Sequence, residues 1–247
     1  MDRGRLKWIT WGFAVATVLI VALMLMHTLK RTTYITLPPP AGSSSGVQSG
    51  AEANRDALSV IEISPKTVQI AIETLVRPVS YSRTVMLEQF WEGGSGSWTV
   101  TAYAKDGWQR TDRLMPDHQV RHTVTDGETT YIWYNTDRQI FSAPAGSITA
   151  DHDQSLPTYE EILALDPEEI VSADYRNLEG VECIYVETAE RENGYALRYW
   201  VSVESGLLVS SEKLYLGEVV YRMTALTLDA PPGDELFILP DGTVLIS

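Results

Sequence analysis

The most constraining feature of the sequence is the stretch 195–229, which predicts three long strands joined by two tight turns. Between Tyr195 and Val203 every second residue is apolar, which is the period expected when one face of a sheet is buried. The turns at 204–206 and 216–218 each contain a glycine, which adopts a positive φ at little cost. An antiparallel meander is therefore expected near the carboxy-terminal end.

The same alternation, interrupted by turn-forming residues, recurs through most of the chain. Pairs such as Asp106-Gly107 and Asp126-Gly127 separate the apolar runs. Regularly spaced strands of this kind are typical of a meander or an open barrel. In total we predict eleven strands, at 80–91, 97–105, 107–114, 119–124, 129–134, 139–142, 170–176, 181–188, 195–203, 207–215 and 219–228.

Two helices are predicted to accompany the sheet. The first opens at Ser64-Pro65, with serine as the N-cap and proline at the first helical position, and it closes at Arg77-Pro78. The second, at 158–165, has Thr158 and Glu161 in the spacing of a capping box. Each helix carries one apolar stripe that must pack on a neighbouring surface. The stripe residues, predicted to be either lids over the sheet or simply core residues, are Val68, Ile72, Leu75, Ile162 and Leu165.

The amino-terminal region predicts an uncleaved membrane anchor. No charged residue occurs from Trp8 to Leu29, and a helix of this length spans a hydrocarbon core of about 30 Å. Basic residues before the span favour a cytoplasmic N-terminus slightly. A linker rich in Pro, Gly and Ser follows. We therefore predict a cytoplasmic tail at 1–7, a single-pass transmembrane anchor at 8–29, a linker at 30–56 and an extracytoplasmic domain at 57–247.

Charge and cysteine content narrow the classes of partner. After residue 31 the chain has 14 Lys and Arg against 32 Asp and Glu, so the body should be repelled by nucleic acid and by anionic lipid headgroups. A nucleic-acid partner is therefore excluded. Cys183 is the only cysteine, so neither an intramolecular disulfide nor a cysteine-based zinc site can form. We predict that Cys183 is a small buried side chain in a strand.

The arrangement resembles a known family, the periplasmic carriers of outer-membrane lipoproteins, over about 64–240. The resemblance lies in the order of helix, meander, short helix and ending, with WVSVESGLLV at 200–209 and DELFILP at 234–240. Family members usually have an acidic residue where this chain has Ser202. The chain also resembles the lipid-sensing half of a periplasmic regulator of an anti-sigma factor, and germination-associated lipoproteins of spore-forming Firmicutes.

The resemblance implies an α+β fold: an open antiparallel half-barrel of about 11 strands, with two helices covering the concave face and one N-terminal transmembrane helix before it. It also implies that the concave face holds acyl chains. An apolar sheet face must be covered or filled by a guest. We predict the lining of this face from the more apolar side of each strand. Each lining residue is either a cavity residue or an ordinary core residue. The predicted residues are Val85, Leu87, Trp98, Val100, Ile132, Tyr134, Ile184, Val186, Leu197, Tyr199, Val201, Tyr221 and Met223.

No arrangement of residues in the sequence points to catalysis. His118 and His122 have helical metal-site spacing, but they flank a strand start and lack the glutamate of an H-E-x-x-H motif, so solvated histidines are expected. The residues 151–153 lack the spacing of a calcium loop. The glutamate pairs at 160–161 and 168–169 are adjacent and would point apart. We therefore predict no catalytic residue, no metal site and no cofactor.

These features together predict a binding module rather than an enzyme. The first hypothesis is a membrane-anchored extracytoplasmic domain that holds a lipid, or the acyl chain of a lipoprotein, in an apolar half-barrel cavity. The alternative is an envelope sensor or assembly protein, related to germination or to anti-sigma regulation, that docks a membrane-protein partner through the same domain. In both, the membrane itself is contacted through the segment from Trp8 to Leu29.

Overall fold

A computed structural model describes residues 47–115, 117–145 and 156–246, all within one compact unit. The predicted tail at 1–7, the anchor at 8–29 and the linker up to residue 46 lie outside the described residues, as does the stretch 151–153. Within the described ranges, no helix combines the length and the apolar character needed to cross a bilayer.

One antiparallel sheet of eleven strands forms the body of this unit, as the sequence predicts. The strands are β1 Tyr81–Trp91, β2 Gly94–Lys105, β3 Trp108–Leu114, β4 Val120–Thr125, β5 Thr129–Tyr134, β6 Phe141–Pro144, β7 Ile170–Leu178, β8 Val181–Thr188, β9 Tyr195–Ser202, β10 Leu208–Tyr215 and β11 Glu218–Asp229. Their order across the sheet is β6-β5-β4-β3-β2-β1-β11-β10-β9-β8-β7. Two meanders are thus joined at the centre by the pairing of β1 with β11.

The predicted strand bounds are confirmed to within a few residues. The largest change at a strand start is in β2, which begins at Gly94 and pairs it with Trp91, so the glycines at 94 and 96 extend the hairpin instead of forming the turn. A Cβ at Gly94 would lie 3.1 Å from Nε1 of Trp91. Glycine is needed here because the indole ring lies against the opposite strand.

Three α-helices are described: α1 Val47–Leu58, α2 Val68–Thr74 and α3 Tyr159–Leu163. Helix α2 begins later than predicted, because the hydroxyl of Thr67 accepts a hydrogen bond from the Ser64 amide and holds 64–67 in a turn. Ser64 is therefore not the N-cap. At α3, Thr158 is the N-cap but its side chain makes no capping hydrogen bond. The predicted use of Ser64 and Thr158 as side-chain caps was wrong.

Helix α1 begins inside the stretch 30–56 that the sequence assigns to a linker, so the predicted linker does not continue unbroken to residue 56. Ala51 and Leu58 are buried, and Asn54 between them is completely buried. The Asn54 amide donates to the backbone oxygens of Val76, at 3.0 Å, and Glu204, at 3.3 Å, and its oxygen accepts from the Val76 amide. A polar residue thus occupies a core position with its hydrogen bonds satisfied. The sequence pattern missed this helix because asparagine interrupts its apolar stripe.

Two hydrophobic clusters pack on the two faces of the sheet. On the face covered by the helices, residues of α2 and α3 join those of β1, β2 and β7–β11. On the opposite face, Val124 and Trp133 pack beneath Phe237 and Leu239 of the carboxy-terminal segment, which contains a 3₁₀ helix at Asp234–Phe237. The DELFILP sequence therefore covers the second face of β3–β5.

Cys183 is completely buried in β8, which confirms the prediction made for it. Burial raises the pKa of its thiol to about 12, and the neighbouring Glu182 contributes to the rise. Only the thiolate reacts with alkylating reagents. We expect iodoacetamide at pH 8 to leave Cys183 unmodified in the folded protein and to label it fully in denaturant, as measured by intact-mass spectrometry. Rapid labelling without denaturant would contradict the described packing of β8.

Candidate functional site

All thirteen predicted lining residues lie on the sheet face that the helices cover. The register decides this, because residues directly opposite each other on neighbouring strands share a face. Val85 pairs with Val100, and Leu87 pairs with both Trp98 and Met223. The remaining pairs follow the same parity across the sheet. The predicted orientation of each strand is therefore confirmed, whereas the binding role of each residue stays a prediction.

One half of this face, formed by β7–β11, is filled by protein. Ile184, Val186 and Val201 are completely buried against α2 and α3. The phenol of Tyr199 reaches α3 and donates to Oε2 of Glu161 at 3.3 Å. In this half the predicted lining consists of core residues. The predicted lid residues Val68, Ile72, Leu75 and Ile162 are buried in the same cluster, and Leu165 is partly buried beside it.

The other half, formed by β1–β5, borders a cavity of about 560 Å³. Its walls are the concave side of these strands, the segment around α3, and the turn before β10. Volumes of about 300–1,000 Å³ are typical of small-molecule sites. Of the thirteen predicted residues only Val100 and Ile132 line it, and the other apolar lining residues that matter here are Ala102, Leu156 and Leu208.

Three arginines on the concave side of the strands line the same cavity, and the sequence reasoning missed all of them. They are Arg83 on β1, Arg113 on β3 and Arg121 on β4. Arg83 is two residues from Val85 and therefore shares its face, and Arg113 is directly opposite Val100. A charged residue in phase with buried apolar positions was the signal that could have identified them.

Helix α3, which closes one side of the cavity, is held by hydrogen bonds from α2 and the residues after it. The amide of Gln69 donates to the backbone oxygens of Ile162 and Leu165, each at 2.9 Å. The guanidinium of Arg77 lies 3.5 Å from the ring centroid of Tyr159. Nε of Arg77 also donates to the Gly206 oxygen at 2.9 Å. The helix on this wall is therefore fixed to the filled half of the face.

Tyr221 marks the boundary between the two halves. The pKa of Tyr221 is raised to about 12. Burial is the largest cause, the nearby carboxylate of Glu161 adds to the rise, and the nearby guanidinium of Arg113 acts in the opposite direction. The Tyr221 phenol is therefore influenced by Arg113 on the sheet wall of the cavity and by Glu161 on its helix wall. Next to it, the guanidinium of Arg113 lies 4.8 Å from the ring centroid of Trp98.

A second polar cluster lies on the opposite face of β3 and β4, under the carboxy-terminal segment. Asp112 accepts a hydrogen bond from Nε of Arg110 at 2.8 Å and contacts Nδ1 of His122 at 2.7 Å. The imidazole stacks on Trp133 with ring centroids 5.0 Å apart. Arg110 also donates to the Leu236 oxygen. His122 is mostly buried, so the prediction of a solvated histidine was wrong at this position.

No family model matches the sequence, and no curated protein is matched either. Among solved structures, an uncharacterized conserved protein from Thermus thermophilus shares 10% identity over 73% of this chain and 89% of that chain, with a TM-score of 0.43. MucB of Pseudomonas aeruginosa, in complex with MucA, shares 17% identity over 81% of this chain and 62% of that chain, with a TM-score of 0.41. A LolA superfamily protein from Nitrosomonas europaea shares 10% identity over 78% of this chain and 98% of that chain, with a TM-score of 0.33.

The third of these structures belongs to the superfamily that the sequence resembles. The predicted relation to proteins of spore-forming Firmicutes stays a prediction. Values this low assign no family to the chain, and its function is inferred from its own cavity.

Proposed function

We propose that this protein is a membrane-anchored, extracytoplasmic binding module that holds a lipid, or the acyl chain of a lipoprotein, in the cavity between β1–β5 and α3. The single observation that carries the proposal is this cavity of about 560 Å³ on a sheet face whose other half is fully packed. The cavity is partly open to solvent, so a guest can enter it, and its volume is within the range of small-molecule sites.

Burial of an alkyl chain would supply the binding energy. Each methylene removed from water contributes about 0.8 kcal/mol, so a 16-carbon chain contributes up to about 12 kcal/mol before the costs of ordering. The apolar residues Val100, Ala102, Ile132 and Leu208 offer the wall for such a chain. Holding a guest needs no reacting group, so we propose binding and not catalysis. The anchor at 8–29 would place the module beside a membrane with its N-terminus in the cytoplasm.

Uptake of an acyl probe tests the proposal. The full chain, kept in solution in a lipid-free amphipathic polymer, is titrated with a fluorescent acyl probe, and its stoichiometry is read by native mass spectrometry. We expect one probe per chain. Ala102→Phe fills the cavity and should abolish uptake, because Ala102 is buried on its wall. Thr99→Phe is the matched control, since Thr99 lies on the same strand but is exposed and does not line the cavity. Absence of uptake by the unaltered chain would overturn the proposal.

The alternative, a sensor that docks a membrane protein, is favoured by the open edges of the sheet. Within the described part of the chain, strands β6 and β7 each have one neighbour, and they expose Phe141 and Val171, respectively. Free edges are surfaces on which a partner strand can add. Crosslinking in the native membrane separates the two functions, because a stoichiometric protein partner that persists after lipid depletion favours the sensor.

A further inference from the structure

The cavity has a concentration of positive charge on its sheet wall. Arg113 and Arg121 are directly opposite each other on β3 and β4, and both line the cavity. Arg121 is only 8% exposed. The cavity therefore has three guanidinium groups on one wall, including that of Arg83.

Arg83, on β1 of the same sheet wall, provides an independent observation. Its side chain is 5% exposed, and Nη1 donates to the Leu208 oxygen at 3.2 Å. Its Nε is buried and has no hydrogen-bond partner among the residues that the structure describes. A buried guanidinium carries a large desolvation cost unless its donors are matched by acceptors. Arg83 lines the cavity, so an acceptor placed there would supply the missing hydrogen bond.

The other polar residues of the cavity fit the same interpretation. Thr111 and Thr123 line the sheet wall in the same row across the strands as Arg83, and their hydroxyl groups can donate to an anion. The carboxylates of Glu160 and Glu161 are on α3, the opposite wall. Glu161 is bonded to Tyr199, which lies in the filled half of the face. Positive charge therefore lies on the sheet and negative charge on the helix, so an anionic group would be drawn to the sheet wall.

From these observations we infer that the occupant is an amphiphile with an anionic head, a carboxylate or a phosphate, bound by Arg83, with its alkyl chain along Val100 and Ile132. This inference rests on the proposed function and adds the chemical class of the ligand. The negative charge of the whole body opposes approach to an anionic membrane surface. Inside the cavity the lining charges dominate, because exposed charges beyond about 8–10 Å are screened by salt.

Four probes with defined chemistry test the inference on the full chain in the same lipid-free polymer. They are dodecyl phosphate, dodecanoate, uncharged monododecanoyl glycerol and inorganic phosphate, each titrated by calorimetry. We expect both anionic amphiphiles to bind at least about tenfold more tightly than the uncharged one, and inorganic phosphate to bind far more weakly than dodecyl phosphate, because charge-assisted hydrogen bonds and chain burial act together.

Equal affinity for charged and uncharged chains would overturn the inference and leave the proposed function standing. If no amphiphile binds, both fail. If inorganic phosphate binds as well as dodecyl phosphate, the site takes a free anion and the inference is wrong.

Two variants locate the anion. Arg83→Gln should weaken anionic binding relative to uncharged binding by about tenfold or more, since a hydrogen bond from a guanidinium to an anion is roughly twice as strong as a neutral one. Arg176→Gln on β7, an exposed arginine paired with Asp174, is the matched control and should change neither. Glu160→Gln alters an exposed residue on α3 and keeps the test decisive if Arg83→Gln does not fold. It should tighten anionic binding severalfold relative to uncharged binding, and an unchanged ratio of the two affinities would contradict the inference.

Discussion

Replacing Gly206 by alanine is expected to lower the free energy of unfolding by about 3 kcal/mol. Gly206 has φ +67°, a conformation that costs an alanine about 1–2 kcal/mol. A Cβ there would lie 2.8 Å from Cγ of Arg77 and 3.1 Å from the Val76 oxygen. Arg77 cannot easily move aside, because its guanidinium is bonded to Gly206, Leu75 and Ile72 and lies over the ring of Tyr159. Overpacking of this kind typically adds about 1–3 kcal/mol.

Urea unfolding followed by circular dichroism measures the effect, and Gly180→Ala is the matched control. Gly180 also has a positive φ, +94°, but a Cβ there would meet no atom within 4 Å. The control should therefore lose only the conformational part, roughly 1 kcal/mol. If the two variants were equally destabilised, the close approach of the 204–206 turn to the residues after α2 would not contribute to the loss of stability in Gly206→Ala. Because Arg77 also contacts α3, Gly206→Ala should loosen the helix wall of the cavity as well.

Replacing Asp112 by asparagine is expected to lower the free energy of unfolding by about 3 kcal/mol near pH 7. Asp112 is bonded to Arg110 and His122, and the Arg110 and Asp112 side chains are 9% and 19% exposed. Removing one partner of a largely buried ion pair leaves the other charge without compensation, which typically costs about 3–5 kcal/mol. Some of that cost is relieved because Arg110 keeps its hydrogen bond to the Leu236 oxygen.

The effect of Asp112→Asn should depend on pH in a definite direction. Burial would raise the pKa of Asp112, but hydrogen bonds with His122 and Arg110 outweigh it and hold the pKa below its ordinary value. A carboxyl group with a lowered pKa stabilises the fold above its unfolded pKa of about 4, and that contribution disappears as the pH falls through the folded value. The difference between the two proteins should therefore be largest near neutrality and shrink below about pH 4.

Chemical denaturation at a series of pH values measures this dependence. Asp174→Asn is the control, because Asp174 pairs with Arg176 on an exposed surface where both side chains are more than 40% exposed. Exposed pairs contribute about 1 kcal/mol or less. A difference for Asp112→Asn that stayed constant down to pH 3 would contradict the ionised contact with Arg110 and His122.

Strand parity was predictable wherever one face of a strand is uniformly apolar. Trp98 and Val100 alternate with the polar residues Ser97, Thr99 and Thr101, so their common face could be identified. Tyr131 and Trp133 were ambiguous because Ile132 between them is also apolar. The structure resolves this, since the carboxy-terminal segment covers a second apolar face.

The open part of the concave face was not predictable from apolar pattern alone. A search for the most apolar side of each strand finds where the sheet is packed, and in this protein the packed half contains most of the predicted residues. The cavity lies where Arg83, Arg113 and Arg121 interrupt that pattern. Helix α1 was missed because a polar residue, Asn54, interrupts its apolar pattern as well. The buried amide of Asn54 is hydrogen-bonded to backbone atoms far away in sequence. Long-range hydrogen bonds of this type leave no local signal.

The pairing of β1 with β11 has a consequence for how the chain folds. All other strand pairs join neighbours in sequence, whereas the hydrogen bond from the Thr84 amide to Thr227 spans 143 residues. Closing a loop of that length costs roughly 4 kcal/mol of chain entropy, and hairpins form in about 1–10 μs. The two meanders should therefore form early and the central seam late. Folding speed is then limited by one distant contact, and the cavity is complete only after that contact has formed.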